Sequence, residues 1–105
     1  MKDVVMCLST APDEDTANRL ASGLVENRLA ACVNIVPGIR SIYRWQGALQ
    51  EDSEILMLIK STRQAFSALE AWLVEHHPYD EPEILALPVE KGSASYLDWV
   101  SDNVG

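Results

Sequence analysis

The sequence is poor in cysteine and contains no long apolar run. Its two cysteines, Cys7 and Cys32, fall inside predicted strands. The apolar run at 4–8 is too short for a secretory signal, and no cleavage pattern follows it. We therefore expect reduced thiols, no disulfide and a cytoplasmic location. Because no stretch is long enough to span a bilayer as a helix, we also expect no membrane partner.

Basic residues are scarce as well. Eight lysines and arginines stand against sixteen aspartates and glutamates, which gives a formal net charge of -8. This charge repels phosphate backbones and anionic membranes, so a nucleic-acid partner is not expected either. A cation is the better candidate, although acidity that only maintains solubility is the simpler explanation. The five glycines are scattered at turns, and without a glycine-rich phosphate loop nucleotide hydrolysis has no support.

The most informative stretch is a long predicted hairpin. Two runs rich in β-branched, aromatic and aliphatic residues, 31–45 and 49–60, are joined at Gln46-Gly47, and Pro37-Gly38 breaks the first of them. Residues 55–59 are all apolar, so both faces of the second strand must leave water. We expect a second copy of the chain to cover one face, which predicts an oligomer. Helices on both sides of a central strand are the alternative.

The remaining segments complete one domain over residues 1–105. Apolar spacing and capping signals predict a strand over 4–9, a helix that starts within 10–15 with a left-handed stop at Asn27, a helix from Thr62 to His76, a strand over 83–89 and a helix over 93–103. The order β-α-β-β-α-β-α predicts an α+β protein of the ferredoxin-like βαββαβ type with an added C-terminal helix. Its four-stranded antiparallel sheet would carry two helices on one face and leave the other bare.

Several motifs in sequence order resemble those of the CutA family of divalent-cation tolerance proteins. The matching segments are Thr10-Ala-Pro-Asp-Glu, Leu29-Ala-Ala-Cys-Val-Asn, Pro37-Gly38, Tyr43-Arg-Trp45-Gln-Gly47, Glu54 before the apolar strand, His77-Pro78-Tyr79, Pro82-Glu83 and Tyr96-Leu-Asp-Trp99. The resemblance covers essentially the whole chain. It implies a ferredoxin-like protomer in a tight cytoplasmic homotrimer, similar in architecture to the PII signalling proteins, with a role in tolerance to copper and other divalent metals.

The resemblance also implies a copper site, built from a cysteine before the Thr-Ala-Pro motif and from paired histidines. The histidines match as His76 and His77, but Ser9 occupies the position of the cysteine. Serine is a weaker copper ligand than a thiolate, so we expect weak binding of a copper cation or another divalent metal. Cys7 lies on the same side of the strand as Ser9 but about 6–7 Å farther along, so it replaces Ser9 only if the metal shifts.

The two histidines also have a simpler explanation. On a regular helix they would diverge by about 100°, and only the break at Pro78 lets them converge on one ion. Alternatively, one contacts the carbonyls at the helix C-terminus and the other is a solvated loop residue. A nucleophilic site formed by Cys32, His77 and Asp80 is disfavoured, because nothing beside Cys32 would activate a thiolate. We therefore predict no enzymatic activity.

Aromatic residues mark a second candidate site, which is either a subunit interface or an inter-subunit cleft. Aromatics at a hairpin tip and on a terminal helix are typical interface anchors. Together with charged neighbours they could instead line a cleft that binds a small ligand, as in PII-like trimers. The residues assigned to this interface or cleft are Cys32, Tyr43, Arg44, Trp45, Glu54, Lys60, Tyr79, Glu83, Tyr96 and Trp99.

Two functional hypotheses follow. The first is a non-enzymatic, metal-responsive homotrimer that binds copper or a similar divalent cation weakly through His76 and His77, with Ser9 or Cys7 nearby. The second is a PII-like signalling or scaffold trimer whose inter-subunit cleft takes a small organic ligand or whose surface docks a protein partner.

Overall fold

A computed structural model describes residues 3–105; residues 1 and 2 of the predicted domain lie outside the described part, and the extent of the domain stays a prediction. Seven elements follow one another in the expected order. Their bounds are β1 Val4–Ala11, α1 Glu14–Glu26, β2 Cys32–Trp45, β3 Ala48–Thr62, α2 Phe66–His76, β4 Leu85–Pro88 and α3 Ala94–Asp102. No helix within residues 3–105 is both long and apolar enough to cross a membrane.

The four strands form one antiparallel sheet in the order β2-β3-β1-β4. β1 lies between β3 and β4, with Leu8 opposite Leu58 on one side and Leu85 on the other. Each half of the chain contributes a strand, a helix and a strand, and the β2–β3 hairpin joins the halves through the middle of the sequence. The predicted ferredoxin-like α+β fold is confirmed.

The β2–β3 hairpin is long, sharply turned and kinked. Gln46 and Gly47 both have positive φ, 49° and 80°, which is the backbone of the tight turn that suits twisted strands. Farther along, Val36 pairs with Leu56 but Ile39 pairs with Glu54, so β2 carries one extra residue at the predicted Pro37-Gly38 break. Beyond this bulge the hairpin continues as an arm, and the molecule measures 44 × 25 × 22 Å.

The main core lies between one face of the sheet and the helices α1 and α2. Alternate residues of the central strands point into it, and every fourth or third residue of each helix meets them. The completely buried members include Cys7 of β1, Met57 and Ile59 of β3, Leu20 and Leu24 of α1, and Leu69 and Leu73 of α2. The helices α1 and α2 therefore cover one face of β3, as expected.

The opposite face of the sheet is apolar and largely bare. Residues paired across a ladder share a face, and successive residues of a strand alternate between faces, so the sequence neighbours of the core residues lie there. We call this surface the open apolar face; it comprises Met6, Leu8, Leu56, Leu58, Leu85 and Leu87. Leu85 and Leu87 are 53% and 46% exposed. α3 packs on a smaller cluster with Val4, Val100 and Val104. By the same alternation Val4, which pairs with Thr62, lies on this side of the sheet, so α3 packs against that end of β3.

Three local expectations differ from the structure. Thr10, within the predicted helix start, belongs to β1, and α1 is capped instead by Asp13, whose carboxylate accepts a hydrogen bond of 2.8 Å from the Thr16 N–H. The left-handed residue after α1 is Arg28, with φ 56°, rather than Asn27. Thr62 ends β3, although its hydroxyl still accepts from the Ala65 N–H in the turn before α2.

Candidate functional site

His77 stands at the junction between α2 and the following loop. It is extended, with φ -78° and ψ 139°, as expected for a residue that precedes proline. Its imidazole is buried, with Nε2 2.7 Å from the Thr10 carbonyl oxygen and Nδ1 3.1 Å from the Tyr79 backbone nitrogen. Because the carbonyl can only accept and the N–H can only donate, the ring is neutral and carries its proton on Nε2. Both ring nitrogens are therefore engaged.

His76 is differently placed. Its Nδ1 lies 2.8 Å from the Trp72 carbonyl oxygen one turn earlier, so Nδ1 donates, and in the neutral ring the lone pair is on Nε2. The ring is exposed and stacks on the Trp72 indole with the centroids 4.1 Å apart. Of the paired histidines, His76 is thus the one whose nitrogen is free to bind a metal ion from solvent.

Ser9 and Cys7 both lie on the core face of β1. Neither side chain is exposed to solvent. Burial raises the pKa of the Cys7 thiol to about 11, so this sulfur is a neutral thiol rather than the thiolate that copper prefers. The Ser9 hydroxyl is buried without a hydrogen-bond partner among the described residues. Since both groups are enclosed, a metal ion reaches them only if the core opens.

The structure does not bring the four predicted ligands into a ready metal centre. Within residues 3–105 no group of three or more histidine, cysteine, aspartate or glutamate side chains is placed to hold a metal ion. The copper site at His76, His77, Ser9 and Cys7 stays a prediction. Of these residues, His76 alone combines exposure with a free ring nitrogen.

A groove lies between the β2–β3 arm and the loop that follows α2. It measures about 870 Å³ and is bounded by residues 41–45 of β2, by Glu54 of β3, by Thr10 and by loop residues 78–83. We call it the hairpin groove. It exists because the bulge in β2 bends the arm away from the sheet, and because Pro78 turns the chain out of α2 toward the end of β1.

Four groups are joined by contacts at the inner end of the hairpin groove, and three of them, Thr10, Glu54 and Tyr79, line it. The His77 ring ties the loop to Thr10, and its centroid lies 4.8 Å from that of Tyr79. The Tyr79 hydroxyl donates a hydrogen bond of 2.7 Å to Oε2 of Glu54, which is only 8% exposed. Burial and this hydrogen bond raise the pKa of Tyr79, so its hydroxyl remains a donor through neutral pH. His77 is therefore a structural support of the groove.

A second tyrosine is fixed on the arm. The Tyr43 hydroxyl donates to the Asp52 carboxylate on the paired strand. This hydrogen bond raises the pKa of Tyr43, so the phenol stays protonated and holds its ring in place beside the groove. Tyr43 nevertheless remains exposed, as does its neighbour Trp45.

The ten residues predicted for an interface or cleft fall into three places. The hairpin groove contains Tyr43, Arg44, Trp45, Glu54, Tyr79 and Glu83. Cys32 pairs with Lys60 at the far end of β2 and β3, about six residues or 20 Å from Glu54. Tyr96 and Trp99 stack on each other on α3, with their centroids 5.7 Å apart. Six of the ten thus lie together in one groove, and their role in an interface or an inter-subunit cleft stays a prediction.

The sequence interpretation missed some groups that build this groove. The Thr10 carbonyl, the Asp52 carboxylate and the acidic side chain of Glu81 were not singled out, and Asp80 was considered only as part of a nucleophilic site. The clustering of acids in the loop was the signal that could have found Glu81. Cys32, His77 and Asp80 do not form a nucleophilic site, because Cys32 lies at the far end of the hairpin from the groove that Asp80 lines and both nitrogens of His77 are engaged.

Fold and site together define a class: a ferredoxin-like α+β protein with an open apolar sheet face and an acidic, aromatic groove under a kinked hairpin arm. Residues 5–103 match the model of the family described as CutA1 divalent ion tolerance protein. The chain is 53% identical over 105 residues to the divalent-cation tolerance protein CutA of Thermus thermophilus, with all of both chains covered. The chain belongs to the CutA1 divalent ion tolerance family.

Solved structures agree with this assignment. The divalent cation tolerance protein Cut A1 from Thermus thermophilus superposes with a TM-score of 0.95 at 52% identity, covering 97% of this chain and 99% of that one. A protein from Archaeoglobus fulgidus, titled as a periplasmic divalent cation tolerance protein CutA, gives a TM-score of 0.93 at 35% identity, covering 97% and 99%.

Proposed function

We propose that this protein is a non-enzymatic homotrimer that acts in tolerance to divalent cations and binds copper or a similar cation weakly. The observation that carries the role is the match of residues 5–103 to a family named for divalent ion tolerance. The open apolar face supports the assembly, because a contiguous apolar surface of this kind is the usual mark of a subunit interface. A second copy of the chain is its expected partner.

For the metal, the geometry favours His76 as the principal ligand. Its Nε2 is free and exposed, whereas His77 uses both ring nitrogens within the protein and Cys7 holds a protonated thiol. A single imidazole supplies only one of the ligands that copper takes in a stable protein site, which agrees with weak binding. Water or residues of another subunit would complete the coordination.

A competition titration of Cu(I) and Cu(II) on the reduced protein tests this assignment. We expect about one ion per chain, with binding lost in His76→Ala and largely kept in His77→Gln. Binding should also weaken below about pH 6, because a ligand histidine must be neutral. Loss of binding in His77→Gln alone, or affinity unchanged from pH 5 to 8, would contradict the proposal.

We propose a cytoplasmic location, as the sequence predicts. The relative from Archaeoglobus fulgidus is titled as periplasmic, so a periplasmic location is the alternative to test. Cell fractionation with antibodies against the native chain decides between the two compartments.

The hairpin groove favours a second candidate function, a PII-like trimer that binds a small organic ligand between subunits. Its volume of about 870 Å³ lies in the range of small-molecule sites, and aromatic and charged side chains converge on it. Saturable binding that is lost in Arg44→Ala or Tyr79→Ala but not in His76→Ala would support this function over the first.

A further inference from the structure

The lining of the hairpin groove is strongly unbalanced in charge. Four carboxylates line it, from Glu54, Asp80, Glu81 and Glu83, against the single guanidinium of Arg44. Low-dielectric walls focus such a field into the groove, which attracts a positive ligand and repels an anion. The ligand that fits this lining is therefore cationic.

Glu54 is the buried acid of the groove. The residue is 8% exposed, and the only hydrogen bond that its carboxylate accepts from residues 3–105 comes from the Tyr79 hydroxyl, to Oε2. Oε1 is left without a donor from the described chain. Glu54 lines the groove and Oε1 is not fully enclosed, so a charged hydrogen-bond donor in the groove could pair with this oxygen in a strong hydrogen bond. Glu54 thus offers an oxygen to a ligand.

A bare metal ion does not match the arrangement. No group of three or more potential ligands among the described residues converges on one point, whereas Mg²⁺ and Ca²⁺ take six or more oxygens at about 2.0–2.6 Å. The acids are instead distributed along a space of about 870 Å³. Tyr43, Trp45 and Tyr79 also line that space, and aromatic faces attract ammonium groups and cover the methylene chains between them.

We propose that the hairpin groove binds an elongated organic cation of the aliphatic polyamine class, with two or more ammonium groups separated by methylenes. One ammonium group is bound by Glu54, the acids of loop 78–83 take another, and the methylenes lie across the rings of Tyr43 and Trp45. This inference rests on the second candidate function, a groove that takes an organic ligand, and adds the chemical class of that ligand.

Calorimetric titration of the full chain with spermidine and putrescine tests the ligand class. 1,4-Butanediol has the carbon chain of putrescine without its charges, and MgCl₂ supplies divalent charge without the carbon chain. We expect saturable binding of the polyamines, tighter for spermidine and weaker at higher ionic strength because the attraction is electrostatic. Butanediol should not bind, and an excess of Mg²⁺ should lower polyamine affinity only by general screening.

Matched variants test the position of the site. Glu54→Gln keeps an oxygen that accepts from Tyr79 but removes the charge, so spermidine affinity should fall about tenfold. Glu70→Gln, an exposed acid on α2, should leave it unchanged. Trp45→Leu and Asp80→Asn alter exposed groove residues that do not contribute to the core, and each should also weaken binding. If Glu54→Gln fails to fold, Trp45→Leu and Asp80→Asn still test the position of the site.

Three results would overturn the proposal that the groove binds a polyamine. They also show whether the function on which this proposal rests, binding of an organic ligand in the groove, still holds. Equal spermidine affinity in wild type, Trp45→Leu and Asp80→Asn would mean diffuse surface binding. Saturable binding of an anionic compound that depends on Arg44 would reject the cation class but keep the groove as a ligand site. If cationic, neutral and anionic compounds all fail to bind saturably, both the ligand class and the groove function are wrong.

Discussion

At the scale of single residues, two serines of the core are equally buried but differently satisfied. Ser61 donates a hydrogen bond of 2.6 Å to the Leu29 carbonyl oxygen, whereas Ser9 has no partner among the described residues. Removing an unpaired buried hydroxyl costs no hydrogen bond, so Ser9→Ala should leave the free energy of unfolding unchanged or raise it by about 1 kcal/mol. Ser61→Ala should lower it by about 1 kcal/mol. Urea unfolding at fixed protein concentration measures both, and equal losses would show that Ser9 has a partner.

Cys7 gives the native state a pH dependence on the alkaline side. Burial raises the pKa of its thiol from 9.0 to about 11, so the unfolded chain releases this proton at lower pH than the native chain. Between these values the native state binds more protons, and its stability falls as pH rises. The loss should approach roughly 2 kcal/mol by pH 11. Urea unfolding from pH 7 to 11 should show a shallower decline for Cys7→Ala, and parallel curves would contradict the assignment.

The candidate site shows which parts of a site can be predicted from residue patterns and which cannot. Aromatic and charged residues were predicted to form a subunit interface or an inter-subunit cleft, which stays a prediction. Within the single chain, six of them line one groove: Tyr43, Arg44, Trp45, Glu54, Tyr79 and Glu83. The hydrogen bonds that organise it could not be predicted, because they join Thr10 to His77 and Glu54 to Tyr79 across long sequence separations. The role of His77 was open for the same reason, since its partners are backbone groups without a sequence signature.

At the scale of elements, α1 and α2 meet at a glycine. A Cβ atom added at Gly23 would lie 2.4 Å from the Trp72 indole, which itself stacks on His76. Gly→Ala inside a helix usually stabilises a protein by up to about 1 kcal/mol. Here the indole must move, so we expect Gly23→Ala to destabilise by about 1–2 kcal/mol instead. Thermal unfolding should compare Gly23→Ala with Ser22→Ala, a substitution of an exposed neighbour that should be slightly stabilising. A higher unfolding temperature in both variants would contradict the close contact between Gly23 and Trp72.

Element types and order followed from the sequence, but several ends did not. Apolar spacing identified the buried face of α1. Its start was ambiguous because Thr10 and Asp13 can each cap a helix, and the choice is made by β1, which continues to Ala11 opposite Ile55. The length of a strand depends on its partner, which local spacing does not show. The hairpin was the clearest segment, because Gln46-Gly47 and Pro37-Gly38 carry backbone preferences of their own.

At the scale of the whole molecule, the arm and the open apolar face need a common explanation. The arm extends beyond the main core and exposes Ile42 and Leu49 by 61% and 74%. The open apolar face adds the half-exposed Leu85 and Leu87. A chain of this size gains little from leaving so much apolar surface in water, and the proposed association with further copies would remove both surfaces from water at once. The hairpin groove lies along the arm, so a neighbouring copy that covered the arm would approach the rim of the groove.

Two substitutions that each introduce one charge test the assembly. One lies on the open apolar face, and the control lies on the opposite side of the molecule. Leu85 on β4 and Val74 on α2 are similarly exposed, 53% and 58%, but only Leu85 belongs to the proposed interface. Light scattering should give three chain masses for wild type and Val74→Lys and a lower mass for Leu85→Lys, because a buried unpaired charge is costly. Unfolding temperature should rise with protein concentration wherever the trimer persists. A wild-type chain that stays monomeric, or Leu85→Lys with an unchanged mass, would mean that the open apolar face is not the subunit interface.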